Sequence, residues 1–87
     1  MSITAAQCRA ARGMLSWSRD VLTERSHVSK RTIVDFERGA RSPHASTLFA
    51  IQTAFESAGI TFIEEEGEGV GITLRRPSEA MRASSAD

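Results

Sequence analysis

Cationic and hydroxyl-bearing side chains are concentrated in residues 29–38 of this chain. Lys30, Arg31 and Thr32 follow one another directly, and Asp35 comes one helical turn after Arg31. Side chains of these types in the first turn of a helix suit contact with base edges in the major groove of a duplex, while the backbone amides there face phosphate. An ordinary charged helix face exposed to solvent is the simpler alternative. The choice between them depends on the elements that hold this segment.

Two short helices joined by a tight turn are predicted to position the segment. Ser18 and Ser29 are good N-cap residues for the two helices, and Gly39 suits the left-handed conformation that ends the second. An apolar pair brackets each cap as a hydrophobic staple, namely Trp17 with Leu22 and Val28 with Ile33. Neither helix has enough apolar surface to be stable alone, and the short connection forces them to cross at a steep angle.

A helical wheel gives the second of these helices two distinct faces. The face predicted to lie against the core carries Ser29, Ile33 and Phe36. The outer face carries Arg31, Val34, Asp35 and Arg38, with Lys30 and Thr32 on the flanks. The basic side chains are therefore expected to face solvent, and the two N-caps and staples favour the duplex-binding interpretation.

An earlier helix is predicted to open with a capping box formed by Thr4 and Gln7. Cys8 and Arg12 share the face of this helix that has core spacing. An inward arginine needs an opposite charge, and the wheel supplies Glu37 on the inward edge of the recognition segment. We therefore predict a largely buried ion pair between Arg12 and Glu37 that holds the two helices together.

A fourth helix and a β-hairpin are predicted in the second half of the chain. The loop after Gly39 leads into a segment whose apolar residues have helical spacing, namely Leu48, Ile51, Phe55 and Ala58. Alternating, β-branched segments at 60–63 and 70–74 then flank an acidic turn containing glycine, which is typical of a hairpin. A lone hairpin is barely stable in water, so it must pack on the helices, pair with a second copy, or both.

These features together resemble the Xre/Cro-type (lambda-repressor-like) helix-turn-helix transcriptional regulators. The resemblance runs from about Thr4 to Gly59 and rests on an ordered set of residues: Gln7 to Arg12, Trp17-Ser18, Leu22, Val28-Ser29, Thr32-Ile33, Phe36 to Gly39, Arg41 to Pro43 and Thr47-Leu48. It implies a mainly α fold, a four-helix domain of this type followed by the C-terminal hairpin. Three positions depart from the family pattern: this chain has His27 where the family usually has glycine, Thr23 where it usually has alanine, and Arg19 where it usually has glutamine.

Membership of such a family implies sequence-specific binding of double-stranded DNA by a transcriptional regulator, with repression the expected outcome. Base contacts are expected from Lys30, Arg31, Thr32 and Asp35. Contacts with the DNA backbone are expected from Ser18, Arg19, Ser29, Arg38, Arg41 and Ser42. The family also has an arginine and a glutamate paired at the positions of Arg12 and Glu37.

Composition sets the outer bounds on these expectations. Eighty-seven residues, 40% of them hydrophobic and 25% charged, make one small domain. The formal net charge is zero, yet residues 1–58 hold eight basic and five acidic residues, whereas residues 59–87 hold three and six. The positive charge is thus concentrated where DNA would bind, and the acidic part is expected to turn away. The sequence contains neither a membrane-length apolar stretch nor a secretory signal pattern, so we expect a cytoplasmic protein.

Catalytic and metal-binding chemistry is not indicated. Nucleophile, base and orienting group do not occur together, so an enzyme is not expected. Cys8 lies on an apolar helix face, which favours a small core residue over a reactive thiol. His27 and His44 lie in turns without metal-ligand spacing to each other or to Cys8, so neither a metal nor a cofactor is expected.

We predict a helix-turn-helix domain in residues 1–59, a hairpin in 60–76 and a flexible tail in 77–87. Pairing of hairpin edges from two subunits would give a symmetric homodimer, which matches a palindromic operator with half-sites about 34 Å apart. The alternative is a protein-interaction module whose hairpin captures a strand of a protein partner. An antitoxin would combine both activities.

Overall fold

Four helices precede a two-stranded antiparallel hairpin in the computed structural model, which describes residues 2–64 and 69–74. The elements are α1 (Ala5–Leu15), α2 (Arg19–Ser26), α3 (Lys30–Glu37), α4 (Ala45–Ser57), β1 (Ile60–Glu64) and β2 (Val70–Leu74). This order confirms the predicted fold class. The tail predicted at 77–87 and the acidic turn at 65–68 lie outside the described residues.

The starts of the first three helices were predicted correctly, because cap chemistry is local. Thr4 and Gln7 form the expected capping box at α1. The hydroxyls of Ser18 and Ser29 accept hydrogen bonds from backbone N–H groups in the first turns of α2 and α3. Gly39 has a φ of 75°, the left-handed conformation expected after α3.

Two non-glycine residues also adopt the left-handed conformation. His27, which occupies the position of the family glycine, ends α2 with a φ of 63°. Ser16 ends α1 with a φ of 57°, and this second case was not predicted. Both residues allow the chain to turn sharply between consecutive helices, at a cost in backbone strain that glycine would avoid.

The helical wheel of α3 was right about its core residues and wrong about Ser29. Ile33 and Phe36 are buried, and Arg31 is exposed, as the spacing predicted. Ser29 is exposed rather than inward. It precedes the helix as its N-cap with an extended backbone, so its side chain does not follow the hundred-degree spacing of helical residues.

The core lies between the four helices and one face of the hairpin. Leu22, Ile33, Ile51 and Phe55 are fully buried at its centre. Phe55 stacks on the indole of Trp17, with ring centroids 5.6 Å apart. Burial of these side chains supplies the main stabilising free energy of so small a domain.

The hairpin packs on the helices, which was one of the arrangements that the sequence left open. Phe62 is buried in the common core and pairs in register with Ile72. The buried amide of Gln7 donates from Nε2 to the carbonyl oxygens of Ile63, at 3.2 Å, and Gly71, at 2.8 Å. One side chain of α1 therefore holds both strands of the hairpin against the helical body.

Candidate nucleic-acid interface

The first turn of α3 carries two cations into solvent. The side chain of Lys30 is 57% exposed and that of Arg31 is 87% exposed. Thr32 is half-buried, and its hydroxyl accepts a hydrogen bond of 2.8 Å from the Ser29 hydroxyl. The buried residues Ile33 and Phe36 fix the opposite side of the helix to the core. The turn thus projects cationic groups at the end of a helix whose rotation is fixed.

The other end of α3 is attached to α1 through Glu37, whose carboxylate is fully buried. Arg12 donates from Nε to Oε2 at 2.7 Å and from Nη2 to Oε1 at 2.8 Å. The Cys8 thiol donates to Oε2 at 3.1 Å, and Arg9 donates from its guanidinium to the backbone oxygen of Glu37. The structure therefore brings together Arg12 and Glu37, and adds Cys8 and Arg9 as partners of Glu37 that the sequence did not predict.

The charge state of this cluster follows from its hydrogen bonds. Burial raises the pKa of the Glu37 carboxyl, but the hydrogen bonds from Arg12, Cys8 and Arg19 outweigh it, so the pKa lies below its ordinary value. The hydrogen bond to Glu37 raises the pKa of Arg12. Burial, reinforced by Glu37, raises the pKa of the Cys8 thiol far above its ordinary value. Cys8 is thus a protonated thiol at neutral pH, which fits a structural role.

Arg19, the first residue of α2, has a partner inside the molecule. Its Nε donates to Oε1 of Glu37 at 2.9 Å, and its side chain remains 39% exposed. The sequence predicts that this arginine contacts the DNA backbone, and it does not predict the contact with Glu37. A guanidinium has further N–H donors after one such hydrogen bond, so Arg19 can contact Glu37 and a DNA phosphate at the same time.

The loop between α3 and α4 forms a polar groove beside the first turn of α3. The groove has a cavity volume of about 390 Å³ and is lined by Thr32, Arg41, Ser42, Pro43, His44 and Thr47. His44 is the N-cap of α4 but makes no side-chain capping bond. In the part of the chain that the structure describes, the His44 side chain leaves the first amides of α4 available to an anion, and the exposed Arg41 lines the same groove.

The structure brings predicted contact residues from α2 and from the loop after α3 next to the first turn of α3. Lys30 joins the first turn of α2 through an ion pair with Asp20, with Nζ 3.1 Å from Oδ1. Ser18 and Arg19 begin that same turn, and Thr32 shares the polar groove with Arg41 and Ser42. Arg38 lies at the far end of α3, and its Nη1 is 3.9 Å from Oδ1 of Asp35. Asp20 was not predicted to lie among these contact residues. Its position in the first turn of α2 was the available signal.

Two short helices that cross over a tight turn, with a cationic first turn on the second, define a helix-turn-helix DNA-binding protein. The family model described as helix-turn-helix matches residues 9–58, more than half of the chain. The chain therefore belongs to the Xre/lambda-repressor-like helix-turn-helix family, whose members are DNA-binding regulators and not typically enzymes. A search of curated proteins gives no match.

Two further observations concern the part of the chain that the structure describes. None of its helices is long and apolar enough to cross a membrane. Its histidine, cysteine, aspartate and glutamate residues form no group of three that could hold a metal ion.

Proposed function

We propose that this protein is a sequence-specific regulator that binds a duplex operator through α3 and represses transcription from it. In this proposal Lys30, Arg31 and Thr32 contact bases, and Ser18, Arg19, Ser29, Arg38, Arg41 and Ser42 contact the DNA backbone. The base contact that the sequence predicts for Asp35 competes with its ion pairs to Arg31 and Arg38, and titration of Asp35→Asn with DNA distinguishes the two roles. Repression follows from steric exclusion, since a domain bound to the duplex keeps other proteins from the same site. We propose that the protein acts in the cytoplasm.

The exposed first turn of α3 is the observation that carries the proposal. Arg31, with 87% of its side chain exposed, projects from a helix whose opposite face is buried. Arginine at such a position can donate two hydrogen bonds to the major-groove edge of guanine. The polar groove next to it supplies Arg41 and the uncapped amides of α4 for an adjacent phosphate.

The hairpin is proposed as the homodimer contact, so that residues 1–59 bind DNA and residues 60–76 join two copies. Each strand of the two-stranded sheet in the described residues has one edge without a strand neighbour, and such edges pair readily with another chain. Two-fold pairing would place two reading helices on half-sites about 34 Å apart along one face of the duplex. Capture of a strand from a different protein, as in an antitoxin, uses the same edge.

Selection of bound duplexes from a random pool tests the whole proposal. We expect enrichment of a palindromic site, with half-sites one helical turn apart, and a guanine whose selection disappears for Arg31→Ala. Light scattering of the protein alone measures whether it is a dimer. A pool that yields no enriched sequence, although the protein is folded by circular dichroism, would refute specific binding. A monomer that selects a single half-site would refute the homodimer contact at the hairpin.

A further inference from the structure

All three cations of α3 and its C-cap face a carboxylate of the same molecule. Lys30 pairs with Asp20, with Nζ 3.1 Å from Oδ1. Arg31 Nε is 3.3 Å from Oδ2 of Asp35, and Arg38 Nη1 is 3.9 Å from Oδ1 of the same side chain. These cations are 57%, 87% and 66% exposed, so the pairs lie on the surface that DNA would cover.

We infer that Asp20 and Asp35 hold the cations of α3 in the free protein and compete with DNA phosphate for them, which lowers the affinity for duplex DNA. This inference rests on the proposed function. Exposed ion pairs contribute little free energy, so DNA can displace them. Each displacement nevertheless removes a partner, and each carboxylate also repels the phosphates nearby. Both effects weaken the sequence-independent part of DNA binding.

The penalty applies to the operator and to other duplexes alike. When the protein binds its operator, Arg31 gives up its ion pair with Asp35 and forms directed hydrogen bonds with a base edge in the groove. At any other duplex it exchanges Asp35 only for a phosphate contact that salt screens. The ion pairs of the free protein are lost on binding to either duplex, so the carboxylates lower both affinities, and the directed base contacts alone separate the operator from other duplexes.

The geometry of Asp35 supports this role. Its side chain is only 19% exposed and lies between Arg31, four residues earlier, and Arg38, three residues later. Each of its two oxygens faces one arginine, so the carboxylate is turned to its own cations. If Asp35 contacts a base directly, removal of its charge should weaken binding to the operator. If it restrains the two arginines, removal of its charge should strengthen binding.

Asp20→Asn and Asp35→Asn test the inference, with Glu56→Gln as the matched control. The control removes the same unit of charge from α4, where Glu56 contacts Gln52 and no cation of α3. Each protein is titrated with the selected operator and with a duplex of scrambled sequence over a range of salt concentrations. We expect the two Asn variants to bind the scrambled duplex about 3- to 10-fold more tightly, with a gain of similar size at the operator.

The dependence on salt and on the arginines identifies the cause. The slope of log K against log salt concentration should steepen by up to about one for each cation released. Alanine at both Arg31 and Arg38 should remove most of the gain from Asp35→Asn, because no cation remains to be released and only the repulsion between carboxylate and phosphate is relieved. Glu56→Gln should change both affinities by less than about twofold.

Three results would overturn the inference. Equal changes in affinity and salt slope for the two Asn variants and for Glu56→Gln would show that DNA binding responds only to the net charge of the protein. Weaker binding of Asp35→Asn to the operator alone would make Asp35 a base-reading residue instead. Failure of the folded parent protein to bind either duplex would refute the proposed function, and this inference with it.

Discussion

Arg12 and Glu37 form a two-pronged ion pair across the contact between α1 and α3, with N–O distances of 2.7 and 2.8 Å. The Glu37 side chain is fully buried, while 19% of the Arg12 side chain is exposed. The pair attaches the C-terminal end of α3 to the helical body, so the solvent-facing first turn keeps a fixed direction. Loss of the pair should therefore affect stability and DNA binding together.

Removal of either partner should destabilise the fold. Arg12→Met leaves Glu37 buried with only Arg19 and Cys8 as donors, and Glu37→Gln leaves the arginines without their counter-charge. We expect each change to lower the free energy of unfolding by about 3–5 kcal/mol in urea titrations followed by circular dichroism. Glu56→Gln, on the surface of α4, is the control. Unchanged stability of both variants would contradict the structural importance of the pair.

Acid should remove the contribution of Glu37. Its pKa in the folded protein is below the ordinary value of about 4.3 that applies when the chain is unfolded. The unfolded chain therefore takes up this proton first as the pH falls, and stability decreases between about pH 5 and the folded pKa. The stability difference between the parent protein and Glu37→Gln should shrink through this range in urea titrations. A difference that is constant with pH would contradict the lowered pKa.

Arg31 and Arg41 should differ in how they contribute to DNA binding. Arg31→Ala should weaken binding to the selected operator by about 1–3 kcal/mol and relax the preference at one base pair. Arg41→Ala should weaken binding to all duplexes alike and reduce the salt slope by about one, because phosphate contacts carry no sequence information. Fluorescence anisotropy of labelled duplexes measures both. A uniform loss for Arg31→Ala would remove that residue from the base-reading set.

The hairpin should depend on the amide donor of Gln7. Gln7→Glu keeps an oxygen for the Thr4 amide but turns a second oxygen toward the carbonyls of Ile63 and Gly71. We expect a loss of about 1–3 kcal/mol in urea unfolding and faster hydrogen exchange in β1 and β2 than in α2. Glu56→Gln, which changes one unit of charge at an exposed position of α4, is the control. Equal exchange rates in Gln7→Glu and the parent protein would contradict the attachment.

Glycine at residue 27 should stabilise the protein. The φ of 63° at His27 is strained for any residue with a Cβ atom. His27→Gly removes this strain, and the gain exceeds the extra entropy of glycine in the unfolded chain, so we expect about 0.5–1 kcal/mol of added stability. His27→Ala keeps the strain and serves as the control. Thermal unfolding that ranks the glycine variant at or below the alanine variant would contradict this expectation.

The parts of the fold that the sequence predicts are those with local causes. Ser18 and Ser29 can be recognised as N-caps because each directly precedes a helical segment whose first amides its hydroxyl can bind. The helical spacing of apolar residues identifies the buried faces of α3 and α4. Arg12 and Glu37 could be matched because each is a charge on an inward face. Ser16 could not be predicted in the same way, since serine has no strong preference for the left-handed conformation.

The shared contacts of the site have a different origin. Arg19 meets Glu37, 18 residues away in the chain, only because α2 crosses α3 at a particular angle. The pairing of Asp20 with Lys30 depends on the same crossing, as it joins the first turns of two separate helices. A wheel describes one helix at a time, so contacts that depend on how two helices meet require the structure.

Trp17 gives this protein an intrinsic optical probe. It is the only tryptophan, and the chain contains no tyrosine, so excitation near the red edge of aromatic absorption reports on one indole ring. That ring lies 5.6 Å from Phe55 in the core and 5.1 Å from the Arg25 guanidinium, and it directly precedes the cap of α2. Its emission should therefore register both loss of the core and occupation of the adjacent surface, without a dye attached to the protein.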